Sequence, residues 1–229
     1  MDFCGLVKTS TLDYPGRIAA VLFSPGCNYD CFYCHNRELL QKGAALIDPE
    51  EVMNFLLKRQ GLLDGVVLTG GEATLQKDIA AFAEKLKEMG YRVKLDTNGS
   101  RPEVVRGMLQ ANLLDYVALD YKVPWHRYEE ICGPQAHPED VKKTLAHLIK
   151  AGIDFELRTT VIPQLSGQDL LQMAKAIPRV PRFLLQEYRE PATFKPEDHF
   201  KVKKKPYGIY YMIEAAEKML VYQPGAAVR

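Results

Sequence analysis

The feature that most constrains the fold is an alternation of short apolar segments with amphipathic helical segments. Each apolar segment is rich in β-branched residues and almost continuously apolar, as is typical of parallel strands covered on both faces. The six segments are 18–24, 65–70, 92–98, 116–122, 154–162 and 182–188. Helical segments separate them. The first begins with Asp48 as N-cap and Pro49 in its first turn, and it ends at Gly61.

This order, a strand followed by a helix and repeated six times, predicts an α/β fold with one parallel sheet. Six units are compatible with an open sheet and with an incomplete barrel, and the pattern does not choose between them. In both cases we expect the functional side chains at the carboxyl ends of the strands. We interpret residues 1–229 as one domain with its core at about 16–190, a polar loop at 189–206 and a C-terminal helix at 207–222.

Charge and hydropathy argue against several classes of function. The chain has 30 Lys and Arg residues against 29 Asp and Glu residues, so it has no strong electrostatic attraction to nucleic acid or to anionic membranes. It contains no apolar segment of the length of a membrane span and no signal peptide at its N-terminus. We therefore expect a cytoplasmic protein. The Lys201–Lys205 segment is interpreted as a solvated stretch, with a docking patch for a partner as the alternative.

Three of the five cysteines follow the first predicted strand with the spacing C-x3-C-x2-C, at Cys27, Cys31 and Cys34. In a reducing compartment such a cluster indicates metal binding rather than disulfides. A structural zinc site needs four ligands, and His35 is adjacent to Cys34 and awkwardly placed to be the fourth. Thiolates are the usual ligands of iron–sulfur clusters, and a missing fourth thiolate leaves one iron open. We favour such a cluster over zinc, and zinc over cysteines packed in a core.

Polar residues also mark the ends of the later predicted strands. Gly70, Gly71 and Glu72 combine two glycines, which allow a backbone to approach a ligand closely, with an anionic side chain. A glycine-rich turn between strand and helix is the ordinary alternative. Asp96 and Asp120 lie in apolar segments, where a charge needs a partner or a ligand; for Asp96 a surface turn is the alternative. Two further strands contain polar residues in apolar company, Arg158 and Gln186.

The cysteine spacing, with Tyr33 before the third cysteine, resembles the signature of the radical S-adenosylmethionine (SAM) enzymes. The resemblance implies a [4Fe–4S] cluster whose fourth iron is chelated by the amino and carboxylate groups of SAM. One electron from the cluster then splits the sulfonium and yields a 5′-deoxyadenosyl radical. The protein places the cofactors and excludes water and oxygen, so we expect no catalytic residue beyond the cluster and SAM.

The strand-end residues are similar to motifs of the same family. Gly70 to Glu72 resemble its G-G-E-P motif, which holds the ammonium of the methionine moiety, with Ala73 in place of proline. The segments "LDTNG" at 95–99 and "LDYK" at 119–122 resemble those of the glycyl-radical activating enzymes. This likeness implies that Asp96, Thr97 and Asp120 frame a monovalent cation, a hard ion that prefers oxygen ligands. The cofactor contacts that the resemblance implies are Tyr33, Gly70, Gly71, Glu72, Asp96 and Lys122. The strand-end positions of Arg158 and Gln186 make them further candidate contacts with cofactor or substrate, with outward-pointing side chains as the alternative.

The segment before and after the cysteines resembles the D-x-P-G and C-H-N patterns of the glycyl-radical activating enzymes, most of all those that act on anaerobic ribonucleoside-triphosphate reductase. The residues implied for contact with the protein substrate are Asp13, Pro15, Gly16 and Arg17. The implied oxidoreductase abstracts hydrogen from a glycine of a partner enzyme and receives its electron from a flavodoxin- or ferredoxin-type protein. We expect an incomplete (β/α)6 barrel of parallel strands with outer helices, whose open mouth admits the glycine loop.

Three alternatives to this function remain at the level of the sequence. The first is an activase of a pyruvate formate-lyase-like enzyme. The second is a radical SAM enzyme that acts on a small molecule, of the carboxy-deazaguanine synthase type, although the D-x-P-G and C-H-N patterns argue against it. The third, a non-enzymatic zinc module, is the least favoured.

Overall fold

The six predicted strands form the centre of one sheet. The computed structural model describes residues 1–40 and 45–229, and it extends the sheet to eight strands that neighbour one another in sequence order. The strands are β1 (Gly5–Ser10), β2 (Ala19–Ser24), β3 (Gly65–Gly70), β4 (Arg92–Thr97), β5 (Tyr116–Asp120), β6 (Phe155–Val161), β7 (Phe183–Glu187) and β8 (Ala226–Val228). β1 is antiparallel to β2, and every later pair is parallel.

Helices connect the parallel strands in the predicted order. They are α1 (Pro49–Lys58), α2 (Ile79–Glu88), α3 (Pro102–Gln110), α4 (Tyr128–Cys132), α5 (Pro138–Ala151), α6 (Gly167–Lys175), α7 (His199–Val202) and α8 (Ile209–Met219). The predicted N-cap of α1 is confirmed, since the Asp48 side chain accepts a 2.9 Å hydrogen bond from the backbone N–H of Glu50. Across the described residues, each helix falls short of the length and apolar character that a membrane span requires.

The prediction of an α/β fold with a mostly parallel sheet is confirmed, and the six predicted strands match β2 to β7 within two residues at each end. The pattern missed β1 and β8, which lie at the two edges of the sheet. β1 has no continuous apolar run because its side chains are exposed or half-buried, and β8 has only three residues. The segment 189–206, predicted as a polar loop, contains α7, and the C-terminal helix is shorter than the predicted 207–222.

The two faces of the sheet bury different kinds of side chain. On one face Ala20, Leu22 and their counterparts on the other strands join the helices in a large apolar core. On the opposite face Ala19 and Val21 pack in a small cluster with Tyr116. Beyond this cluster the side chains on the same face are polar, and several of them line a cavity. The polar part of this face contains the candidate site.

Gln223 connects the segment after α8 to the end of α6. Its side chain is 1% exposed, and its amide donates hydrogen bonds to the carbonyl groups of Ala174 at 3.0 Å and Pro178 at 3.1 Å. Its carbonyl accepts a 3.0 Å bond from the N–H of Val180. One buried amide therefore supplies hydrogen-bond partners for several backbone groups at and beyond the C-terminal end of α6.

Gln223→Leu is expected to lower the free energy of unfolding by about 2–3 kcal/mol, because buried backbone groups lose their partners. Urea unfolding followed by circular dichroism measures the change. The matched control is Gln168→Leu, at an exposed position of α6, for which we expect a change within about 0.5 kcal/mol. Equal effects of the two substitutions would contradict this role of Gln223.

Candidate active site

The three clustered cysteines lie in the loop that follows β2, and all three line one cavity. Arg37 holds this loop in shape, since its guanidinium donates to the carbonyl of Cys31 at 2.9 Å and to the Asp30 carboxylate at 3.0 Å. From the end of β4, the Asn98 amide donates to the sulfur of Cys27 at 3.6 Å. The loop is therefore positioned by side chains from two sides.

The thiols of this loop have raised pKa values. Burial is the main cause for Cys27, whose pKa rises to about 12, and for Cys34. The pKa of Cys31 rises well above its ordinary value because of a hydrogen bond with Cys132 and because of burial. These surroundings favour the neutral thiols, and a metal ion bound to them would favour the thiolates.

The turn after β3 is built against the start of the cysteine loop. Gly71 donates its N–H to the carbonyl of Ser24 at 3.0 Å, and Glu72 donates its N–H to that of Gly26 at 2.8 Å. A Cβ atom on Gly71 would lie 1.9 Å from the carbonyl oxygen of Gly26, so only glycine permits this approach. Asn36 adds a 3.1 Å hydrogen bond from its side-chain amide to the carbonyl of Gly70.

The Glu72 carboxylate is hydrogen-bonded to other residues of the protein, and Glu72 does not line the cavity. Its carboxylate, 1% exposed, accepts hydrogen bonds from the hydroxyl of Thr97 at 2.8 Å and from the N–H of Asn98 at 2.7 Å. It also accepts from the N–H and the hydroxyl of Thr74 at 3.1 and 2.5 Å. Burial raises the pKa of Glu72, while these hydrogen bonds oppose the rise. Glu72 thus ties the end of β3 to the end of β4.

Five charged side chains form a continuous chain on the polar face of β4, β5 and β6, which we name the charge chain. Its members, in spatial order, are Lys94, Asp96, Arg158, Asp120 and Lys122. The Arg158 guanidinium lies 2.9 Å from one Asp96 oxygen and 3.0 Å from one Asp120 oxygen. The other oxygens pair with lysines, that of Asp96 with Lys94 and that of Asp120 with Lys122, the latter at 3.0 Å.

The cations of the charge chain keep both carboxyl groups ionised. Burial by itself would raise the pKa of Asp96, but Arg158 and Lys94 bring it below its usual value. The pKa of Asp120 is likewise raised by burial and lowered further by Lys122 and Arg158. Lys94, with a side chain 1% exposed, was missed by the sequence analysis. Its position two residues before Asp96 in an apolar strand is the signal that identifies it, because both side chains then point to one face.

The cavity has a volume of about 470 Å³ and brings together residues from distant parts of the chain. The predicted residues that line it are Asp13, Cys27, Cys31, Tyr33, Cys34, Gly70, Gly71, Asp96, Thr97, Asp120, Lys122, Arg158 and Gln186. Predicted site residues outside the lining are Glu72, Pro15, Gly16 and Arg17. Lining residues that the sequence analysis did not identify include Tyr29, Thr69, Asn98 and Thr160. Asn98 lies in the segment 95–99 that the sequence analysis quoted, but its side chain was not selected there; the other three are common strand-end and loop residues.

Comparison with known proteins identifies the family. The sequence profile of the Radical SAM superfamily matches residues 21–177, from β2 to beyond the end of α6. This chain belongs to the radical SAM superfamily. Membership implies a [4Fe–4S] cluster and SAM as cofactors, and it agrees with the resemblance found in the cysteine motif.

Among curated relatives, a Methanocaldococcus jannaschii protein named "Putative glycyl-radical enzyme activating enzyme" is 35% identical over 193 residues, which cover 80% of this chain and 78% of the relative. A second protein of that organism with the same description is 27% identical and covers 74% of this chain and 66% of the relative. The 7-carboxy-7-deazaguanine synthase of Methanopyrus kandleri is 35% identical over 129 residues, which cover 47% of this chain and 50% of the relative.

Solved structures share the fold at low sequence identity. Streptococcus suis SuiB bound to SAM matches with a TM-score of 0.61 and 18% identity over 91% of this chain and 50% of SuiB. SuiB bound to its precursor peptide SuiA matches with a TM-score of 0.62 and 17% identity over 88% of this chain and 45% of SuiB. This chain spans about half the length of SuiB, and the likeness shows the fold alone.

Gly71→Ala is expected to lower the free energy of unfolding by roughly 3–4 kcal/mol, because the new methyl group would overlap the Gly26 carbonyl and force the two backbones apart. Chemical denaturation measures this loss. Gly107→Ala in α3 is the control, since a Cβ there meets no atom within 4 Å. In that helix we expect alanine to stabilise by about 0.5–1 kcal/mol. If Gly71→Ala retains wild-type stability, the approach of Gly71 to Gly26 does not require glycine.

Proposed function

We propose that this chain is an activating enzyme that generates a glycyl radical on a partner protein, with anaerobic ribonucleoside-triphosphate reductase as the partner. The observation that carries this proposal is the 35% identity, over 80% of the chain, to a relative named as a glycyl-radical enzyme activating enzyme. The cavity supports it, because it combines the three clustered thiols with the polar strand ends.

In this proposal Cys27, Cys31 and Cys34 are the protein ligands of the [4Fe–4S] cluster. The donor set fits, since all three sulfurs line one cavity and thiolates are the usual ligands of such clusters. Within residues 1–40 and 45–229, no three His, Cys, Asp or Glu side chains are arranged to hold one metal ion. Thiolates that each bind a different iron do not need to converge on one point. A structural zinc ion needs four ligands, whereas three thiolates suit a multinuclear cluster with one open iron, so the donor set favours the cluster.

The proposed SAM contacts lie next to these sulfurs. Gly70 and Gly71 expose backbone that a ligand can approach closely, while Lys122 and Arg158 supply positive charge for a carboxylate. Tyr33 lines the cavity beside the cysteines and is only 6% exposed. The cluster and SAM together supply one electron and the 5′-deoxyadenosyl radical that takes the hydrogen atom. The protein residues orient SAM and exclude water.

Glu72 has a positioning function in this proposal. Because its carboxylate is occupied by Thr74, Thr97 and Asn98, it acts on the site through the shape of the two strand ends. Gln186 and Thr97 contribute polar groups to the cavity wall.

The partner segment is proposed to enter beside the loop between β1 and β2. Asp13 brings this loop to the cavity wall, where it accepts a 2.6 Å hydrogen bond from the hydroxyl of Ser10. Pro15, Gly16 and Arg17 continue the loop outside the cavity lining and are proposed contacts for the body of the partner. A cytoplasmic flavodoxin- or ferredoxin-type protein would supply the electron.

The second candidate is a radical SAM reaction on a small molecule. It is favoured by the 35% identity to a 7-carboxy-7-deazaguanine synthase, although that similarity extends over only 47% of this chain. A pyruvate formate-lyase-like partner differs from the main proposal only in the identity of the glycine-bearing protein.

Cys31→Ala is expected to abolish assembly of the cluster, because the remaining two thiolates leave two irons without a protein ligand. Iron and sulfide analysis after anaerobic reconstitution measures the loss, with about four irons per wild-type chain. The control is Cys4→Ala, whose thiol donates to the Phe23 carbonyl and does not line the cavity. Zinc without iron in the wild-type protein would refute both enzymatic functions.

The reconstituted enzyme, mixed with SAM, a reductant and anaerobic ribonucleoside-triphosphate reductase, is expected to form 5′-deoxyadenosine and a glycyl radical on the partner. Electron paramagnetic resonance detects the radical, and a partner with its radical glycine changed to alanine is the control. A pyruvate formate-lyase-like protein tested in parallel separates the two partners. SAM cleavage that requires a small molecule, without a radical on either protein, would favour the second candidate.

A further inference from the structure

The oxygen atoms implied as ligands of a monovalent cation are already engaged by the protein. Both oxygens of Asp96 pair with cations, one with Lys94 and the other with Arg158. The two Asp120 oxygens pair in the same way, with Arg158 and Lys122.

The third implied ligand is engaged as well. The hydroxyl of Thr97 donates to Glu72 at 2.8 Å and accepts from the N–H of Gly99 at 3.0 Å. Each of these oxygens keeps one further lone pair, so a metal ion would have to share it with a cationic side chain at Asp96 and Asp120 or with a hydrogen-bond donor at Thr97.

The charge balance of the site also disfavours an added cation. The charge chain contains three cations, Lys94, Arg158 and Lys122, and two carboxylates, so its formal net charge is 3 − 2 = +1. The buried Glu156 carboxylate also acts on Arg158, but it is paired with Arg229 at 3.6 Å, so the two together leave this balance unchanged. Its carboxyl groups are ionised and only 13% and 27% exposed, so water screens this charge weakly. A monovalent metal ion would meet repulsion from its neighbours, whereas an anionic group would meet attraction.

The side chain at the centre of the charge chain is suited to bridge two carboxylates. Arg158 on β6 is the register partner of Asp120 on β5, and it reaches across β5 to Asp96 on β4. A guanidinium is always charged and has donors that point in several fixed directions. One arginine can therefore hold both carboxylates at hydrogen-bond distance, as a shared metal ion would do.

We propose that the Arg158 guanidinium takes the place of the monovalent cation between Asp96 and Asp120, so that the SAM pocket is complete without a bound alkali-metal ion. Arg158 is a positioning residue in this role. The excess positive charge of the charge chain then pairs with the carboxylate of SAM. This pairing with SAM rests on the proposed function. The bridging of the two aspartates by Arg158 does not depend on it.

The first test measures the thermal unfolding of the full chain without cluster or SAM, in KCl, NaCl or tetramethylammonium chloride at equal ionic strength. Wild type is expected to unfold at the same temperature in all three salts. Arg158→Ala leaves two buried carboxylates short of a cation, so its unfolding temperature should fall by about 6–12 °C in tetramethylammonium. K⁺ or Na⁺ should recover part of that loss. Arg179→Ala, at an exposed position, is the control and should show neither effect.

A saturable rise in the unfolding temperature of wild type with K⁺ or Na⁺ would overturn the proposal, as would a folded Arg158→Ala variant without any cation response. If Arg158→Ala does not fold, Arg158→Lys gives the same comparison, because a single ammonium cannot reach both carboxylates as a fork does. These measurements need neither SAM nor a partner, so they are independent of the test for glycyl-radical formation.

The second test measures SAM binding to the reconstituted enzyme by anaerobic equilibrium dialysis. The dissociation constant of wild type is expected to be unchanged when K⁺ is replaced by tetramethylammonium. Arg158→Ala should bind SAM about tenfold more tightly with K⁺ than without it, as expected of coupled sites. A tenfold loss in wild type on removal of K⁺ would refute the replacement of the metal ion by Arg158.

Discussion

The close approach of two backbone segments at Gly26 and Gly71 determines the geometry of the candidate site. β2 and β3 are parallel and in register up to Ser24 and Gly70, so both chains must turn at the same level. The absence of a side chain on Gly71 lets the turns share backbone hydrogen bonds, which any Cβ atom would prevent. The cysteine loop therefore starts against the glycine turn, and Cys27 faces the same cavity as Gly71.

The candidate site contains buried carboxylates, and the protein stabilises them with two different kinds of partner. Glu72 is surrounded by hydroxyl and backbone N–H donors, which satisfy its oxygens without a neighbouring cation. Asp96 and Asp120 are instead held by three cationic side chains. Buried charges are tolerated when they are paired and hydrogen-bonded. As a result the wall of the cavity has its charges in place before any ligand binds, which is the condition for electrostatic preorganisation.

Much of the fold was predictable because its signals are local. Continuous apolar runs mark β2 to β7, since parallel strands are covered on both faces. The edge strands β1 and β8 were missed for the complementary reason, because an edge strand has fewer neighbours and leaves no continuous apolar run. α4, with five residues, is too short for helical periodicity to appear in the sequence.

The sequence by itself determined the chemistry that the chain can offer: three thiols at iron–sulfur spacing, a glycine pair and charged residues at strand ends. Spacing and side-chain type are properties of the chain, and parallel strands necessarily bring their carboxyl ends to one edge. Only the tertiary structure decided how these groups are used. It engages Glu72 inside the protein, adds Lys94 to the charge chain and places Arg158 between two aspartates. Those pairings join different strands, and they depend on register and on side-chain reach that no local pattern encodes.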